Sequence, residues 1–75
     1  MARSVPVNGP FHIEDRAHGR IVAAGLIDAD GRIAWQETED SVSGELTELA
    51  AEIAQHLAAG YSGGQLRPPL EWFEL

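Results

Sequence analysis

Helical periodicity appears in one stretch of this 75-residue chain, and that narrows the folds open to it. Val42, Leu46, Leu49, Ala50, Ile53 and Leu57 fall at i, i+4, i+7, i+8, i+11 and i+15, a single apolar stripe within Gly44 to Ala59. A lone stripe has to be buried against another layer, and a helix of about 22–24 Å, at 1.5 Å per residue, can lie across a small sheet. Ser43 stands at the expected N-cap, Glu45 suits the positive end of the helix dipole, and Gly60 stands where a left-handed C-terminal residue is expected. Tyr61 is expected to fold back on Leu57.

The sheet is written on either side of this helix. Phe11 and Ile13 alternate with His12 and Glu14, a short strand, and Asp15 to Gly19 reads as a turn. Arg20 to Ile27 and Arg32 to Thr38 flank Asp28-Ala29-Asp30-Gly31, where Asp28 can start a type I turn and Gly31 can close it in the left-handed region. That turn sets Asp28 opposite Arg32, Ile27 opposite Ile33 and Gly25 opposite Trp35, with Ile21, Ile27, Ile33 and Trp35 on the core face. The Trp35 indole is expected to cover Gly25. The other face, with Val22, Ala24, Leu26, Ala34 and Gln36, is less polar than a solvated face and suggests a cover. Ser62-Gly63-Gly64 reads as a flexible joint, Pro68-Pro69 as a stiff extended one, and Leu70 to Leu75 as a last strand. The expectation is an α+β fold of order βββαβ: a small antiparallel sheet, a three-strand meander with the Asp-Ala-Asp-Gly hairpin, packed on one amphipathic helix, with a C-terminal strand. Residues 1–10, with two prolines and little apolar content, read as a flexible arm, and residues 11–75 as the single domain.

Composition excludes several functions. With no cysteine there is no disulfide framework, thiolate zinc site or thiol nucleophile. The longest apolar run, Ile21 to Ile27, is far short of the roughly 20 residues of a membrane helix, so no membrane role and a cytoplasmic location are expected. From Met1 to Arg32 four arginines balance four acids, whereas from Ile33 to Leu75 eight acids face only Arg67, which places the whole net charge of −7 in the second part. Such a field repels nucleic acid, whose non-specific affinity comes from phosphate neutralisation, so direct nucleic-acid binding is not expected.

The catalytic and metal constellations are weak. Asp28, Asp30, Gly31, Ile33 and Glu37 match five places of a calcium-binding EF-hand loop, but Leu26 occupies the first place and the flanks read as strands. His12, Glu14, Asp15 and His18 are metal-ligating types at spacings that do not converge. Ser4, Ser41, Ser43 and Ser62 lie in no nucleophile elbow, His56 borders the apolar stripe, and Gly60, Gly63 and Gly64 precede no helix that would hold a phosphate. No cofactor, metal or enzymatic activity is expected.

What remains is the acidic surface. Glu37, Glu39, Asp40, Glu45, Glu48 and Glu52 are six acids in sixteen residues with no lysine or arginine among them. The last three fall at i, i+3 and i+7, a carboxylate row spaced about 5–6 Å between neighbours. A solvated helix face is the bland alternative, but such a face usually carries basic partners at i+4, because like charges cost stability. The order of strand meander and acidic helix, Glu45 to Leu57, resembles that of small antitoxins of the HicB type over residues 11 to 59. Small acidic inhibitors from phages and other mobile elements, anti-CRISPR proteins among them, are similar in size and charge. The expected function is a non-enzymatic protein-binding module, an inhibitor or regulator on a basic, nucleic-acid-handling surface of a larger protein. In this reading Trp72 and Phe73 serve as apolar anchors if exposed. Two alternatives stand beside it. One is a homodimeric structural or assembly subunit that buries the terminal strand and second sheet face against a twin. The other is a small ligand-binding or enzymatic subunit completed at a subunit boundary by His12, His18 or His56.

Overall fold

The Asp28-Ala29-Asp30-Gly31 turn folds as its residues require. The Asp28 carboxylate accepts the N–H groups of Asp30 and Arg32 at 2.9 Å each, the Gly31 N–H donates to the Asp28 carbonyl at 3.0 Å, and Gly31 takes φ +81°. Around it the computed structural model describes residues 9–75: β1 (Gly9–Asp15), β2 (Arg20–Ile27), β3 (Ile33–Thr38), a 3-10 turn (Asp40–Glu45), α1 (Leu46–Ala58), β4 (Gly63–Gln65) and β5 (Leu70–Glu74). The strands form one antiparallel sheet of order β3-β2-β1-β5-β4, with α1 on one face. The expected α+β fold is therefore present, with β1 to β3 as the meander and one further strand, β4.

The predicted register holds at the hairpin: Ile27 pairs with Ile33 and Gly25 with Trp35. Two bulges then change which face the side chains reach. One leaves Val22 without a partner on β1, between the pairs Ile13–Ala23 and Glu14–Ile21. Val22 and Ala23 are consequently both buried, and Ile21, expected in the core, is 40% exposed. The other leaves Gln36 without a partner on β2, between Gly25–Trp35 and Ala24–Glu37. Gly25 is covered by the Phe11 ring rather than the Trp35 indole: a Cβ there would lie 2.9 Å from Phe11 Cε1. Trp35 instead packs against that ring, with centroids 5.6 Å apart at 64°.

Phe11, Ile13, Val22, Ile27, Leu70 and Trp72 from the sheet meet Val42, Leu49 and Ile53 in the core, with Leu46 and Leu57 at its margin. The helix begins later than its stripe suggests. Ser43 is no N-cap, because its hydroxyl donates to the Asp40 carbonyl within the preceding 3-10 turn, and Val42 reaches the core from that turn. The far end closes as a Schellman motif: the Gly60 N–H bonds the Leu57 carbonyl, the Tyr61 N–H bonds the His56 carbonyl, and Gly60 takes φ +93°. Tyr61 is exposed, with its ring edge-on to His56 rather than folded on Leu57.

The C-terminal third departs most from expectation. Gly63 and Gly64 are strand residues paired with Phe73 and Trp72, not a joint, and both are needed for close approach. A Cβ at Gly63 would lie 2.9 Å from the Trp72 carbonyl oxygen, and one at Gly64 2.9 Å from His56 Nδ1. Pro68 and Pro69 lie in a tight turn closed by the Leu70 N–H on the Arg67 carbonyl at 2.8 Å, not in an extended spacer. At the other end, residues 1–8 of the expected arm lie outside the described residues, while Gly9 and Pro10 belong to β1, opposite Ile27 and Leu26. Among the described residues β1 thus begins at Gly9, two residues before Phe11.

Candidate partner-binding surface

The six acids of the expected surface divide into two kinds. Glu39 is tied to Arg20 at 2.6 Å, across the β2–β3 edge. Glu45 receives a two-pronged contact from Arg67, with Nε on Oε1 and Nη2 on Oε2 at 2.6 Å. The absence of basic neighbours along the helix therefore misleads at Glu45, whose cation arrives from the β4–β5 turn, 22 residues away. Glu37, Asp40, Glu48 and Glu52 have no ion pair among the described residues; the first three are exposed and Glu52 is half-buried.

Of the other described arginines, Arg16 is spent on two acids and Arg32 has no carboxylate partner. Arg16 contacts Glu71 and, at 3.9 Å, Glu14, while His18 Nδ1 meets Asp15 at 2.8 Å. Acids without an ion pair consequently lie on the β3–α1 connection, on the outer side of α1 and, beside the unpaired Arg32, at the hairpin end of the sheet. At that last place an open depression of about 460 Å³ has an apolar floor of Ile27, Ala54 and Leu57 and a rim that includes Asp28, Asp30 and Glu74. It lies by the C-terminal half of α1, where the helix dipole adds to the negative potential. Its floor can take an aliphatic stem and its rim a cationic head. Nothing in the sequence pattern marks this site, because Asp28 and Asp30 are accounted for by the turn and Glu74 by strand alternation.

Trp72 cannot serve as a surface anchor. It is fully buried, stacked on His56 with centroids 6.0 Å apart at 18°, and its indole N–H donates to His56 Nδ1 at 2.7 Å. Phe73 is half-buried on the face opposite α1, edge-on to His12 at 6.0 Å. A twin cannot pair along an edge of the terminal strand, because β5 lies between β1 and β4 and both its edges are used. His12, His18 and His56 do not converge: one lies on the open sheet face, one in the β1–β2 turn and one under Trp72. Among the described residues no group of three or more metal-ligating side chains could hold a metal ion, and no helix is long and apolar enough to cross a membrane.

The hydrogen bonds from Arg67 hold the Glu45 carboxyl below the usual glutamate range, against a smaller opposing effect of desolvation. A carboxyl depressed in the folded state adds stability above its unfolded value, about pH 4.3, and the gain is lost as pH falls through the lower folded value. Arg67→Gln should accordingly lower the melting temperature at pH 7 and have a shrinking effect below about pH 4, read by thermal melts across that range. A pH-independent deficit would mean that Arg67 acts through packing rather than through the pair.

Compared with protein-family models, with curated proteins and with solved structures, the chain finds no match in any of the three.

Proposed function

We propose that this protein is a non-enzymatic binding module whose acidic surface occupies a basic, nucleic-acid-handling face of a larger protein. The observation that carries this reading is the division of the acids. Arg20 and Arg67 are used in holding the fold together, which leaves Asp40, Glu48 and Glu52 without cations on the solvent side of the helix and the turn before it. Unpaired like charges at i, i+4 on a helix, as at Glu48 and Glu52, cost a few tenths of a kcal/mol that a basic partner would recover. The acid-rimmed depression beside Leu57 offers a lodging for an arginine or lysine of that partner.

The test uses tagged protein and an Asp40→Asn, Glu48→Gln, Glu52→Gln variant, both verified as folded, against lysate of the source cell. A basic nucleic-acid-binding protein should be retained by the natural chain, released by a few tenths molar salt, displaced by added nucleic acid and lost with the variant. Equal retention by both would make this face a solvated surface and remove the proposal.

A further inference from the structure

We propose that β3 is the edge along which two copies of this protein pair, antiparallel and about a two-fold axis at Ala34. The sheet ends in two edges, and β4 offers only three residues while β3 offers six. The Asp28 N–H donates to the Arg32 carbonyl at 3.0 Å, so by alternation Ala34 also faces β2, and Ile33 and Trp35 turn their N–H and C=O groups outward. Among the described residues nothing pairs with that outer side. The stretch carries no lysine or proline, the residues that commonly blunt an edge, and the bulge at Gln36 lies beyond it.

With Ala34 on the axis, Ile33 of one copy faces Trp35 of the other, and each such pair can exchange two main-chain hydrogen bonds. The neighbouring two-folds do worse. Trp35 on the axis runs its pairs through the bulge at Gln36, and Ile33 on the axis sets Trp35 against Gly31 in the turn. Charge selects the same register. Arg32 is the one arginine among the described residues without a carboxylate partner, and Glu37 is exposed and unpaired at the other end of the strand. The bulge returns Glu37 to the Ala24 face, which it shares with Ala34, and there the Ala34 axis sets it opposite Arg32 of the second copy, twice per dimer. Ile33 and Trp35, half-buried in one copy, gain cover from Trp35 and Ile33 of the other. This pairing is independent of the function proposed above, which rests on Asp40, Glu48 and Glu52.

The contact is small, so association should be weak and visible by sedimentation velocity between about 10 μM and 1 mM. Two residues facing each other on the axis at a non-hydrogen-bonded position have Cα atoms about 4.5 Å apart, within disulfide range. Because the chain has no cysteine, Ala34→Cys should cross-link into a dimer under mild oxidation much faster than Ser43→Cys, which is also exposed but lies outside β3. Arg32→Glu and Glu37→Arg should each weaken the dimer about tenfold, and the double exchange should restore it. All of these side chains are exposed, and a thermal melt of each variant confirms that folding is kept. A chain that stays monomeric at 1 mM overturns the proposal. So does a dimer indifferent to Ala34→Glu, or an exchange variant that fails to recover.

Discussion

Truncating Trp72 to alanine is expected to cost about 3–5 kcal/mol, out of the roughly 4–11 kcal/mol that a 75-residue domain possesses. The side chain has no exposed surface, and it joins three parts of the molecule. On β5 it sits between β1 and β4, its ring meets the edge of Phe11 at 6.5 Å, and its indole N–H reaches across to His56 of α1 at 2.7 Å. No other side chain fills that volume, because the strand beside it carries Gly64 at the position opposite. Trp72→Phe separates the contributions: it keeps a ring in the core but removes the donor, leaving a part-buried His56 nitrogen unsatisfied, at about 1–3 kcal/mol. Urea titrations followed by far-UV dichroism measure both, and Trp35 remains as a fluorescent reporter in each variant. A Trp72→Ala protein within about 0.5 kcal/mol of the natural one would place the indole outside the core and restore it as a surface anchor.

How much of this was legible depends on the range of the interaction that fixes each element. The hairpin at Asp28 to Gly31 is encoded within a few residues, by an Asp that bonds its own backbone and a Gly at positive φ, and its first three pairs follow by counting. The helix stripe is local in the same sense, and its closure at Gly60 came with it. The bulge at Val22 is a different matter. Ile21, Val22, Ala23 and Ala24 are four apolar residues in a row, so the sequence shows no alternation there from which a change of face could be read, and simple alternation puts Ile21 on the wrong side. Strand β4 was hidden for a related reason. Gly63 and Gly64 look like flexibility in one dimension, but they are demanded by the Trp72 carbonyl and the His56 ring, groups 9 and 8 residues away that a linear reading does not bring near.

The acidic surface divides along the same line. Its residues were legible because charge is a property of composition, and their pairing was not, because Arg67 meets Glu45 over 22 residues and Arg20 meets Glu39 over 19. A helix without internal i+4 partners is therefore not evidence that every carboxylate on it is free. The distinction matters chemically: a paired carboxylate such as Glu45 would have to release Arg67 before engaging a partner, whereas Glu48 pays no such exchange.

Gly25→Ala is expected to destabilise the protein by about 1–2 kcal/mol, the reverse of the usual gain on replacing a strand glycine. An added Cβ would lie 2.5 Å from the Ala34 carbonyl oxygen and 2.9 Å from Phe11 Cε1. The ring could yield by rotating, although Trp35 and Trp72 hold its edges. The carbonyl cannot, because it belongs to the β2–β3 ladder at the Leu26–Ala34 pair, so relief requires opening the backbone of the edge strand. Overpacking of this kind costs about 1–3 kcal/mol, and the entropic gain from losing glycine in the unfolded chain, about 0.5–1 kcal/mol, offsets only part of it. Two comparisons isolate the cause in urea titrations. Gly44→Ala, with nothing within 4 Å of its Cβ, should be neutral or slightly stabilising. Gly25→Ala combined with Phe11→Leu should remove the ring contact yet keep the carbonyl clash, so the glycine substitution should remain costly in that background. A Gly25→Ala protein as stable as Gly44→Ala would mean that Trp35 and Ala34 do not pair in this register, and it would also withdraw the outward-facing Ile33 and Trp35 groups on which pairing of two copies at β3 depends.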